Sequence, residues 1–340
     1  MPSPPSRPVS EQTSLLDVLR VNGAAATEVG ELAVHRALTR DAGRYLGHLR
    51  QQLAYIASGE TLLELPPKQL FSDANGGDFR VMPCITRNER RTTKTVKIIG
   101  TNMVQRLMPD QITVGKALAL DPVENHVTHV FDACLLSSAR TGACAALALD
   151  LLANTRSTVA VIGAGRVGYY AALYALTLGG VERISIADTL PERAIRLAEV
   201  LAQSHPDVRI DAGSQGTVEA ADVVILATTS RAPVCHPPVG GSRLIVSLGA
   251  DTDFQSELSP AWLDCADLFV DTADTAHFGD LRRWIDGGLL GEDRLRDLFD
   301  VMRNGVTGSR SRVFVSTGSA LFDNLTIAYL LEQEAAGFSW

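Results

Sequence analysis

The chain has 340 residues, a length that suits two domains with substantial cores. With 46% hydrophobic and 21% charged residues its composition is that of an ordinary globular protein, and a formal net charge of -8 leaves no basic footprint. Nucleic acid and anionic membrane are therefore poor partners, and a small molecule is the expected one.

The opening residues, MPSPPSRPVSEQTS, are rich in Pro and Ser and lack the apolar stretch of a secretory signal, so 1–14 is expected to be a disordered lead-in. From Leu15 to Leu63 apolar residues recur at three- and four-residue spacing, a helical pattern with no obvious chemistry. From Pro66 to Val130 the texture becomes β-like, with VKIIG at 96–100, ITVGKALAL at 112–120 and HVTHVFDA at 126–133 predicting a mixed or antiparallel sheet. A helix is expected from about Ser137 to Leu152. Its densest apolar part, Ala143 to Leu152, falls short of the roughly 18 residues of a membrane span and reads as a buried helix. Cys84, Cys134, Cys144, Cys235 and Cys265 are scattered, odd in number and without CxxC spacing, which favours structural thiols in a reducing cytoplasm over a zinc or disulfide site.

After residue 157 strands and helices alternate, the rhythm of a parallel sheet covered on both faces. Strands are predicted at 158–164, 183–188, 208–213, 222–228, 243–249 and 267–272, with a last one at 312–317 before a helix from Ser319 to Ala335 that returns to the first domain. The fold class is thus α/β: a doubly wound Rossmann sheet over 138–317, with a smaller α+β domain built from 15–137 and 318–340.

The strongest local signal is GAGRVG at 163–168, directly after an apolar strand and opening a helix. Gly163 permits the tight turn, Gly165 lets backbone approach a pyrophosphate, and Gly168 lets helix and strand pack closely. The phosphates would meet the free N–H groups of the helix N-terminus. Asp188, twenty residues past Gly168 at the end of the second strand, suits the ribose hydroxyls and would repel a 2′-phosphate. No Arg follows it immediately, so the expected cofactor is NAD rather than NADP. The alternative for Asp188 is a strand-end carboxylate capping a turn. Ala164, Arg166, Val167, Thr228, Thr229, Ser230 and Ser316 complete the expected cofactor site.

Among the cations of the first half, Lys68, Arg80, Lys94, Lys97 and Arg140, two stand out. Lys97 lies within an apolar strand, where a charge needs a cleft to face. Arg140 stands at the start of the expected apolar helix, where a cation opposes the helix dipole unless a bound carboxylate or pyrophosphate supplies a reason. His126 and His129 would point to opposite faces of a strand, so a metal pair is not expected. His277 follows the sixth strand, where active-site loops gather. Asp323, one turn into the last helix, reads either as a helix-start carboxylate or as part of the site.

The runs KIIGTN (97–102), LLSSARTGACAALALDLL (135–152), GAGRVG (163–168) and VFVSTGSALFDNLTIAYLLEQ (313–333) together resemble the ornithine cyclodeaminase and μ-crystallin family over about residues 60 to 335. The resemblance implies a homodimer and reactions among cyclodeamination, imine reduction and amino-acid dehydrogenation. It places Lys97 near the reacting carbon, with Lys94 as its competitor, and Arg140, in RTGA for the family RTAA, on the substrate carboxylate. Arg80, before Val81-Met82-Pro83, and Lys68, in PPK, resemble further cations of the branch that makes 2,3-diaminopropionate. The texture after the lysine departs from the family, reading TNMVQRLMP. Ornithine cyclodeaminases also carry an aspartate after the fourth Rossmann strand, whereas ATTSRAPV here puts Ser230 at that position. A serine is no carboxylate base at neutral pH, which disfavours cyclodeamination.

The sequence therefore predicts an NAD-dependent oxidoreductase acting on the C–N bond of an amino or imino acid. Lys97, Arg140 and Asp323 form its catalytic set, with Lys68 and Arg80 beside Lys97 and Arg140 for the substrate. The alternatives are a lyase using NAD catalytically and a μ-crystallin-like ligand-binding protein.

Overall fold

A computed structural model describes residues 18, 25–72, 77–101, 113–213, 220–237, 242–252 and 254–340. The expected lead-in at 1–14 and the altered stretch from Asn102 to Pro109 lie outside them. The change of texture near residue 157 separates two sheets. The first is formed by β1 (Thr27–Val29), β2 (Leu62–Glu64), β3 (Gln69–Ser72), β4 (Asp78–Arg87), β5 (Thr92–Thr101), β6 (Thr113–Leu120) and β7 (Val127–Asp132). Its pairings are antiparallel except that β1 runs parallel to β7, so the sheet is mixed. The short β1 interrupts the stretch read as purely helical, which otherwise forms α1 (Glu31–Thr39) and α2 (Ala42–Ser58).

The second sheet contains β8 (Thr158–Ile162), β9 (Arg183–Ala187), β10 (Arg209–Ala212), β11 (Val223–Leu226), β12 (Leu244–Ser247), β13 (Ala266–Val270), β14 (Leu295–Asp297) and β15 (Ser311–Val315). All run parallel in the order β10-β9-β8-β11-β12-β15-β13-β14. Every strand predicted after residue 157 is present; β14 was missed, being only three residues long. The chain order reverses between β8 and β11, and a doubly wound sheet binds ligands in the crevice at that point.

One helix joins the two halves. α3 (Ala133–Leu152) is apolar on all sides because it is buried on all sides, packing against α1, α2, β6, β12 and α4 (Arg166–Thr177). By length and composition it could cross a membrane, but 83% of its most apolar window is buried inside the protein and it carries Arg140. It starts four residues earlier than predicted, so the domain boundary placed between 137 and 138 falls inside it. Among the described residues the chain also forms the α-helices α5 (Pro191–Ser204), α6 (Trp262–Cys265), α7 (Gly279–Asp286), α8 (Leu298–Asn304) and α9 (Ala320–Ala335). After β15, α9 returns to the first sheet and packs on β4, β5 and α3. Residues from both chain ends thus meet beneath that sheet.

Candidate active site

The alternation of β5 turns Thr93, Thr95, Lys97 and Ile99 inward, beneath α9 and α3, and Lys94 outward. Lys94 donates to Asn125 Oδ1 at 2.7 Å on the surface, on the face opposite Lys97. Lys97 is 1% exposed, its Nζ 2.7 Å from Asp323 Oδ2 and 3.2 Å from Ser137 Oγ. The Asp323 contact lies off the hydrogen-bonding direction, leaving Oδ2 without an aligned donor. Burial, reinforced by the positive charges of Arg140 and Arg80, lowers the Lys97 pKa to about 7 against the pull of Asp323.

Arg140 donates from Nε to Asp323 Oδ1 at 2.9 Å. Arg140 lies two turns inside α3 rather than at its start, so the helix dipole does not account for it. Its reason for being there is Asp323. Both Nη atoms lack a hydrogen-bonding partner among the described residues, and they lie against Gly318, where a Cβ would approach them to 2.9 and 3.0 Å. Asp323 is therefore a buried carboxylate between two cations, not only a helix-start residue. Its neighbour Asn324 fixes α9 on the sheet, accepting from Thr86 Oγ1 and donating to Cys84 O, Thr93 O and Thr95 Oγ1.

The other predicted cations are engaged elsewhere. Lys68 directs its ammonium at Thr317 O, Thr317 Oγ1 and Gly318 O and lies 3.5 Å from the Phe278 ring centroid, so it supports the backbone that packs on Arg140. Arg80 is held between Asp78, at 3.1 Å, and Asp251, at 2.6 Å.

Next to this cluster, between the first sheet, α3 and the carboxyl ends of β8, β11 and β12, lies a cleft of about 690 Å³. Ser138 lines it, one residue from the Lys97 partner Ser137, and so does Asp251, the Arg80 partner. The glycine loop forms its floor, and each glycine meets its predicted need. Gly163 has φ +106°, a Cβ on Gly165 would find nothing within 4 Å, and one on Gly168 would lie 1.9 Å from Gly163 O. Open space over Gly165 and the N-terminus of α4 fit a dinucleotide pyrophosphate. Asp188 accepts from Ala164 N at 2.7 Å and Leu190 N at 2.9 Å, which places its carboxylate at the loop and also gives it the turn-capping role.

Ala164, Arg166, Val167, Thr228 and Thr229 line the cleft as expected. Ser230 does not; its hydroxyl donates to Ala232 O at 2.7 Å. Ser316 is also outside the lining, fully buried and donating to Asp271 Oδ2 at 2.7 Å. His277 is exposed, and His129 pairs with Glu334 at 2.9 Å.

Sequence reasoning missed three features. Arg193 and Arg196 of α5 line the cleft a few residues beyond Asp188, with no acidic partner among the described residues. Asp251 supplies a cleft carboxylate after β12, one strand beyond the place where Ser230 was weighed. Glu257, fully buried, ties the ends of β11 and β12 together. The signal for Asp251 was present, since ligand-binding loops follow the carboxyl ends of parallel strands.

The profile of the ornithine cyclodeaminase/mu-crystallin family matches residues 28–337. The chain is 29% identical over 291 residues to a Delta(1)-pyrroline-2-carboxylate reductase of Paracoccus denitrificans, covering 83% of this chain and 91% of that one. It is 30% identical over 300 residues to an L-lysine cyclodeaminase of Streptomyces rapamycinicus, covering 85% of each. A Thermococcus litoralis Delta(1)-pyrroline-2-carboxylate reductase, solved with NADH and L-proline, superposes with a TM-score of 0.79 at 18% identity, over 91% of this chain and 98% of that one.

Proposed function

We propose, because this chain belongs to the ornithine cyclodeaminase/mu-crystallin family, that it is an NAD-dependent oxidoreductase acting on the carbon–nitrogen bond of an amino or imino acid. One observation carries the reading: a buried lysine with a pKa of about 7 shares a carboxylate with a buried arginine, beside a cleft floored by a dinucleotide loop. The names of the relatives, for pyrroline-2-carboxylate and L-lysine, support the substrate class.

The loop at 163–168, Asp188, Thr228 and Thr229 would hold the dinucleotide, which when bound gives or takes a hydride at the substrate carbon. Arg140 takes the substrate carboxylate through its two free Nη groups while Asp323 fixes its Nε. Lys97, its pKa lowered by burial to about 7, gives a proton to the substrate nitrogen in reduction and removes one in oxidation. Asp323 holds both cations at a fixed spacing and balances their charge.

A second reading, a lyase that returns the dinucleotide unchanged, is favoured by Asp251. The absence of a carboxylate at Ser230 counts for less once another lines the cleft. The test is a screen of amino acids and N-substituted amino acids for NADH formation at alkaline pH, with the reverse screen of keto acids plus amines. Turnover without net change in NADH assigns the lyase.

The assembly that fits is a homodimer. The outward face of β3–β5 exposes Phe71, Phe79 and Ile98, with the two phenylalanine rings stacked at 4.8 Å, and a second copy would cover it. A cytoplasmic location suits five cysteines that form no disulfide, four of them buried.

A further inference from the structure

Glu257 has no place in the chemistry above, yet it is a fully buried carboxylate immediately behind the cleft. Its Oε1 accepts from Thr228 N at 2.7 Å and Thr228 Oγ1 at 2.9 Å. Its Oε2 accepts from Ser247 Oγ at 2.7 Å, Gly249 N at 2.9 Å and Leu248 N at 3.1 Å. Thr228 and Gly249 line the cleft at the ends of β11 and β12. Burial pushes the Glu257 carboxyl up from its ordinary value, and the five donors pull the other way; three of them are backbone N–H groups, which cannot accept a proton in return, so they favour the ionised carboxylate.

No Lys, Arg or His among the described residues lies within ion-pair distance of Glu257. The nearby carboxylate Asp280, by contrast, pairs with Arg283 at 2.6 Å while accepting from Glu257 N and Leu258 N. Glu257 thus stands behind the ends of β11 and β12 without an ion-pair partner among the described residues, across β8 from Asp188, which follows β9.

Asp188 marks the adenosine end of a bound dinucleotide, so Glu257 lies toward the nicotinamide end. The oxidised ring is cationic and the reduced ring is neutral. We propose that Glu257 sets the balance between the two forms of the cofactor, favouring the oxidised one by placing a fixed anion behind the ring's site. The inference rests on the dinucleotide reading. A charge at this depth acts through a medium less polar than water and is weakly screened by salt.

The test is equilibrium binding of NAD+ and of NADH, by calorimetry, to the wild type and to Glu257→Gln, with thermal melting as the check on folding. The expected result is a shift of the affinity ratio toward NADH by about threefold or more. Equal losses of both affinities would make Glu257 a structural pin only and overturn the inference, as would an unchanged ratio. If the wild type binds neither form, the dinucleotide reading itself fails. Should Glu257→Gln not fold, Ser247→Ala gives the opposite sign: with one donor removed, the bare charge favours NAD+ more strongly, and an unmoved ratio counts against the proposal.

Discussion

Lys97 on β5 and Asp323 on α9 are 226 positions apart in sequence and 2.7 Å apart in space. The pair forms because the last helix leaves the Rossmann sheet and packs beneath the first one. Replacing Asp323 by Asn removes the anion that holds the Lys97 proton while Arg140 and Arg80 continue to repel it. The apparent pKa should fall below about 7, by roughly one unit or more, and the pH–rate profile should move with it. An unmoved profile would show that Asp323 does not govern Lys97.

The direction of the wild-type pH dependence follows from the lowered pKa. Below about 7 Lys97 is an ammonium and above it an amine. Reduction, which needs the proton, should slow as pH rises through that value, while oxidation, which needs the base, should quicken. Initial rates in both directions with saturating cofactor measure this, and the same sign in both would contradict the assignment.

Arg140→Ala should raise the substrate KM by roughly tenfold or more, because a charge-assisted contact is worth about 1.5–3 kcal/mol. Arg140→Lys should recover only part of it, lacking the second donor and the Nε bond to Asp323. Dinucleotide affinity, measured separately by fluorescence, should stay near the wild-type value.

Cofactor choice should respond to both ends of one short segment. Asp188→Ser should narrow the preference for NAD over NADP by removing the charge that repels a 2′-phosphate. Arg193 and Arg196 line the cleft and offer that phosphate a cation, so adding Arg193→Ala and Arg196→Ala should restore the preference. Binding isotherms for both cofactors decide it.

The RTGA variant of the family motif has a steric cause. A Cβ at Gly142 would lie 2.6 Å from Ala171 N and 2.6 Å from the Tyr170 carbonyl carbon, where α3 and α4 cross. Gly142→Ala must push two buried helices apart, and a loss of about 1–3 kcal/mol, read as a fall in Tm, is expected.

What the sequence made legible was local. Strand alternation separated Lys97 from Lys94, and the three glycines of GAGRVG each announced a backbone need that the structure meets. What it hid depends on contacts between distant segments or on a helix face. Asp323 was ambiguous because a first-turn carboxylate is common, and only the return of α9 gives it two cationic partners. The Arg140 dipole argument failed because α3 begins directly after β7, with no break in the sequence to mark it. Arg193 and Arg196 lie beyond the turn that follows Asp188, and only the three-residue spacing along α5 brings both to one face.

The most direct test of the account is the kcat of Lys97→Ala beside that of Lys94→Ala, with NAD affinity measured on both. The account predicts a fall of roughly a hundredfold or more for Lys97→Ala with NAD binding nearly intact, and a mild effect for Lys94→Ala, whose side chain lies on the outer face of β5. Near-normal turnover in Lys97→Ala, above all with an inactive Lys94→Ala, would contradict it.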